Sequence, residues 1–196
     1  MLKREDLRGN WQSPIIETIE NPDGSFMYIK REAIFLDDNW DIFIRAYLDE
    51  EGEKPFFTIH AKGNYILGEK SETLSGAVAV DFHNRARYVT AHQHSIVDML
   101  NETSPFDGEW MLDLEHNVSS KGCILVPSIE TCPVEYDVIK IQGNEIYFGD
   151  FTAEQKEDIK KLSQGDQNPL DGPDGICSTD NRPHQLINYP MFKQNE

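Results

Sequence analysis

The run from Phe56 to Asn101 constrains the fold more than any other part of the chain. Phe57, Ile59 and Ala61 alternate with Thr58, His60 and Lys62. Further on, Val78, Val80 and Phe82 alternate with Ala79, Asp81 and His83. A period of two is the signature of a β-strand with one buried face. Gly63 interrupts the alternation where a bend or bulge would curve a sheet. The pattern then changes, because Ile96, Met99 and Leu100 have helical spacing. Thr90 and Gln93 are read as a capping box opening that helix.

The flanking segments repeat the strand signal. Phe26 to Leu36 and Trp40 to Leu48 read as a hairpin joined by Asp37-Asp38-Asn39. Asn21-Pro22-Asp23-Gly24 reads as a turn. Glu109 to Val118, Gly122 to Val126, Val134 to Ile141 and Glu145 to Phe148 are expected to complete the sheet, with Gly143-Asn144 turning the last hairpin. Thr152 and Gln155 predict a second capped helix to about Leu162. The expectation is an all-β, mainly antiparallel fold: a single β-barrel domain over 1–196 with one or two short helices. Residues 163–183, rich in Asp, Gly, Pro and Asn, read as a long flexible loop. Residues 184–196 read as a tail docking on the barrel.

A chain of 196 residues with 38% hydrophobic and 27% charged residues is long and apolar enough for one packed core. Its net charge of −17 repels nucleic-acid phosphates and anionic headgroups, so no nucleic-acid partner is expected. No apolar stretch reaches membrane-spanning length. The first residues carry no secretory h-region. Three cysteines, Cys123, Cys132 and Cys177, are odd in number and lack CxxC spacing. They are read as free thiols of a cytoplasmic protein, with no metal site and no cofactor.

Gly9-Asn10-Trp11-Gln12-Ser13 resembles the Gly-x-Trp opening of lipocalins and other calycins. Three groups of residues resemble one family more specifically: Phe57 to Tyr65 with Gly68, Ser71 and Gly76; Tyr88-Val89-Thr90 with Met99-Leu100-Asn101; and Gly122-Cys123 with Glu135 to Val138 and Tyr147 to Asp150. That family is the adenomatosis polyposis coli down-regulated proteins, animal Wnt inhibitors, and the resemblance spans roughly residues 9 to 152. It implies a calycin- or lipocalin-like barrel with a hydrophobic pocket, which in those secreted or membrane-anchored proteins accepts the lipid of Wnt. The Wnt function is not carried over to this chain, which is read as one domain rather than two with no signal or anchor, and most of the family's cysteines are missing. Ile15-Ile16-Glu17 and Glu53-Lys54-Pro55 stand where two of them would be, and Cys123 alone matches.

Barrels of about eight strands leave room for one small ligand. The first reading is therefore a protein that binds a small hydrophobic or amphipathic molecule in its interior. Phe43, Tyr47, Phe57, Ile59, Val78, Val80, Phe82, Trp110 and Tyr136 form the ligand-facing pool. The second is an enzyme of the same fold, a cyclase or isomerase that works by holding its substrate in a reactive conformer. Its acid–base candidates are His60, His83, Asp81, Glu115 and His116, because a carboxylate beside a strand histidine can make it a general base. A third is a protein-interaction module. An apolar interior favours carriage, and buried ionisable groups in it favour catalysis.

Overall fold

The computed structural model describes residues 2–20, 26–104, 108–163 and 169–194. The turn expected at 21–24 lies outside the described residues. In chain order the elements are α1 (Arg4–Leu7), β1 (Gly9–Gln12), β2 (Glu17–Glu20), β3 (Phe26–Phe35), β4 (Asn39–Tyr47), β5 (Pro55–Lys70), β6 (Val78–Ala91), α2 (His94–Thr103), β7 (Glu115–Asn117), β8 (Val134–Gln142), β9 (Glu145–Asp150), α3 (Ala153–Leu162), β10 (Gln185–Leu186) and β11 (Met191–Lys193). The fold is all-β and mostly antiparallel.

Hydrogen-bonded neighbours run β1-β11-β9-β8-β6-β5-β4-β3. β3 then pairs back onto β1, from Gly9 opposite Phe35 to Gln12 opposite Glu32. Eight strands thus close into a ring, which leaves those strands no free edge. β2 pairs with the remaining part of the same β3 edge, from Glu17 opposite Ile29 to Glu20 opposite Phe26. β7 lies on β6, and β10 on β9.

Pairing settles what alternation left open, namely which face points inward. Ile42 lies opposite Ala61, Ile44 opposite Ile59, and Ala46 opposite Phe57. These face inward, so Phe43, Arg45, Thr58 and His60 face out. The β5–β6 ladder slips between Lys62 and Gly63. A Cβ at Gly63 would collide with the His83 carbonyl, so this close approach requires glycine.

The core divides in two. One cluster packs Trp11, Phe35, Trp40, Tyr65 and Phe82, with Trp11 Nε1 donating to the Leu7 carbonyl at 2.7 Å. The other packs Ile29, Phe57 and Val89 against Ile96 and Leu100 of α2 and against Trp110.

Several local expectations are corrected. Thr90 remains in β6, and Gln93 caps α2 through no side-chain bond. The strand expected over 109–118 shrinks to β7. That expected over 122–126 is a turn closed by one Cys123–Val126 bridge. By contrast, Thr152 and Gln155 do form the capping box of α3.

The three thiols are corrected too: Cys132 and Cys177 form a disulfide, and Cys123 alone is free. Sequence spacing could not reveal this bond, because its cysteines are 45 residues apart. The described part of the 163–183 segment holds a 3-10 turn at Pro169–Asp171. Tyr136 N–H donates to the Ile176 carbonyl at 2.7 Å. Arg182 donates to the Val80 and Asp137 carbonyls at 3.0 and 2.9 Å and pairs with Asp81. The tail joins the sheet through β10 and β11.

Candidate functional site

Between the two core clusters the ring holds a partly open cavity of about 280 Å³. Its apolar wall is formed by Ile42, Ile44, Ile59, Ala61, Phe148 and Met191, drawn from β4, β5, β9 and β11. The 122–128 turn contributes Leu125, Val126 and Pro127, and the segment after α3 contributes Asp171 and Ile176. The Cys132–Cys177 bond fixes that segment to the ring one residue beyond Ile176.

Charged groups interrupt the apolar wall at Arg31, Arg87, Glu135 and Asp137. Each stands at an inward position of its strand. Arg31 follows Ile29 and precedes Ala33 on the buried face of β3. Its Nε lies 2.8 Å from Oε1 of the buried Glu17, and its Nη2 donates to the Tyr189 carbonyl at 2.5 Å. Ser13 Oγ also donates to Glu17, at 2.5 Å. Arg87 donates to Glu135 at 2.5 Å and to the Pro127 carbonyl at 2.7 Å. Two buried cations are therefore each matched by a carboxylate, as the low interior dielectric demands.

Asp137 is arranged differently. Oδ1 accepts the Val138 amide at 2.7 Å and the Gly149 amide at 3.0 Å. Gly149 permits this approach, since a Cβ there would strike Oδ1 and Pro183. Among the described residues no donor reaches Oδ2. Burial pushes the carboxyl up to about 7, against the pull of the two amides.

The residues singled out from the sequence are scattered. Ile59 lines the cavity. Val78, Val80 and Phe82 are buried, the last two in the first cluster, and Phe57 is buried in the second. Phe43 faces outward and stacks on His60 at 4.1 Å. Tyr47 lies on the outer side of β4, opposite Pro55. Tyr136 lies on the outer side of β8 under Arg182. Trp110 packs on His116, with ring centres 4.7 Å apart.

Of the acid–base candidates only His60 and Glu115 meet. His60 Nδ1 is 3.4 Å from Glu115, and Nε2 is 2.9 Å from Asp41. Asp81 is held by Arg182. His83 Nε2 is buried with no partner among the described residues. His116 accepts the Met111 amide at 3.3 Å, and burial lowers its pKa. None of these five lines the cavity. Sequence reading missed Arg31, Arg87, Glu135 and Asp137; the available signal was a charge at an inward strand position. Among the described residues no group of three or more His, Cys, Asp or Glu side chains could hold a metal ion, and no helix is long and apolar enough to cross a membrane.

The class these observations define is an all-β protein whose antiparallel ring of strands holds a partly open cavity lined by buried charges. A family model described as adenomatosis polyposis coli down-regulated 1 matches residues 1–174, and the chain belongs to that family.

Proposed function

We propose that the protein binds a small amphipathic molecule inside its ring. One observation carries the reading: a cavity of about 280 Å³ that combines an apolar wall with a carboxyl oxygen that no donor reaches among the described residues. Pockets that hold small molecules typically pair apolar walls with a few placed polar groups. Burial of the ligand's hydrocarbon supplies affinity, and the polar groups set its orientation. Native mass spectrometry of the purified protein, followed by denaturing extraction, tests this. A co-purifying small molecule supports it, and its loss in Ala61→Phe places it in the cavity. A ligand retained by that variant contradicts the assignment.

A second reading, catalysis on the bound molecule, is favoured by Asp137. A buried carboxyl titrating near neutrality is suited to giving and taking a proton. In this reading Asp137 takes the role that the sequence assigned to His60, His83, Asp81, Glu115 and His116. The compartment is also part of the proposal. The cytoplasmic expectation rested on free thiols, whereas a disulfide such as Cys132–Cys177 persists best in an oxidising compartment.

A further inference from the structure

The charges on the cavity wall do not cancel completely. Arg31 is matched by Glu17, and Arg87 by Glu135. Both guanidinium groups also donate to backbone carbonyls, of Tyr189 and Pro127 respectively. An anionic ligand would have to compete with these carboxylate partners, of which Glu17 is buried and Glu135 partly buried. Asp137 remains, nine-tenths buried, with Oδ1 held by two amides and Oδ2 without a donor among the described residues. Asp137 lines the cavity, so this oxygen can take a donor from a ligand, and a cationic donor satisfies it most strongly.

We propose that the cavity selects amphipathic molecules carrying a protonated amine, with the ammonium on Asp137 Oδ2 and the hydrocarbon against Ile42, Ile59 and Phe148. The inference rests on the reading of the cavity as a ligand site. The raised pKa agrees with it, because the nearby Arg31 charge offsets only part of the cost of burying Asp137. An amine placed there adds a second positive charge. The same wall disfavours a carboxylate headgroup, which would meet Asp137, Glu135 and Asp171.

The test is calorimetric titration of the whole protein at pH 7.5 with octan-1-ol, octylammonium and octanoate, which share one chain and differ in headgroup. The inference expects octylammonium to bind about tenfold or more tighter than octan-1-ol, and octanoate to bind weakest. Asp137→Asn keeps an acceptor for the two amides and should reduce octylammonium to the level of octan-1-ol. If octan-1-ol binds but the amine gains nothing, or the advantage survives in Asp137→Asn, the amine inference falls while the cavity reading stands. If octanoate binds tightest, Arg31 or Arg87 selects an anion and the inference is overturned. If none of the three binds, the cavity reading fails and takes the inference with it. Should Asp137→Asn not fold, the wild-type ranking decides alone.

Discussion

Glu17 Oε1 lies 2.8 Å from Arg31 Nε inside the protein, with both side chains almost wholly shielded from solvent. The pair joins β2 to β3, and Arg31 reaches on to the Tyr189 carbonyl, 158 residues away in sequence. The outer strand, the ring and the C-terminal tail therefore meet at one charge pair. Removing one member leaves a buried charge without compensation. Glu17→Ala should cost about 3–5 kcal/mol in urea unfolding. Glu17→Met combined with Arg31→Met should recover most of that loss, since matched apolar replacements of buried pairs are often neutral. A double variant no more stable than Glu17→Ala would show that the tail contact matters more than the charge.

Asp137 makes stability depend on pH in an unusual direction. Its carboxyl titrates at about 7 in the folded state, against 3.8 ordinarily. Between those values the folded chain holds a proton that the unfolded chain has released, so stability falls as pH rises. The contribution is fully present below 3.8 and lost above about 7. Its upper bound is roughly 4 kcal/mol. Urea midpoints for Asp137→Asn, compared with wild type between pH 4 and 8, isolate it. The wild type should lose stability relative to the variant across this window; parallel profiles would place the titration elsewhere.

The disulfide spans 45 residues and ties Ile176 and Asp171 to the cavity wall. Closing a loop of that length restricts the unfolded chain by an amount worth about 4 kcal/mol in the chain-entropy account. Replacing Cys132 and Cys177 together with serine should lower stability by about 2–4 kcal/mol and weaken retention of any cavity ligand. Unchanged retention would mean that the segment after α3 does not shape the site.

His60 is a separate case. It lies between Asp41 and Glu115 on the outer face, stacked between Phe43 and Tyr88. Its ring bridges β4 and β7 and has no place on the cavity wall. His60→Ala should leave cavity binding within about twofold of wild type while loosening β7, as seen in amide hydrogen exchange at 115–117. A loss of binding of tenfold or more would return His60 to the functional site.

Much of the fold was legible because each signal was local. The alternation at Phe57–Lys62, the bulge at Gly63, the turn at Gly143 and the cap at Thr152 each depend on a few adjacent residues. The site was less legible because it depends on register. Phe43 and Ile44 are neighbours with similar apolar character, and only pairing with β5 shows that Ile44 faces the cavity and Phe43 the solvent side. Aromatic size drew attention to Phe82 and Trp110, which fill the core. Arg31, Arg87 and Asp137 appear in the sequence as ordinary strand charges until ring closure turns them inward. The disulfide was missed for the same reason, as its partners meet only through tertiary structure.

The central claim is that the ring interior, and no outer patch, is the binding site. Methyl-resolved NMR of the isoleucine and leucine side chains during titration with octylammonium tests it directly. The account predicts saturable shifts at Ile42, Ile44 and Ile59, with exposed Ile15, Ile66 and Leu112 unmoved. Shifts confined to the exposed methyls, with the three cavity isoleucines unchanged, would contradict it.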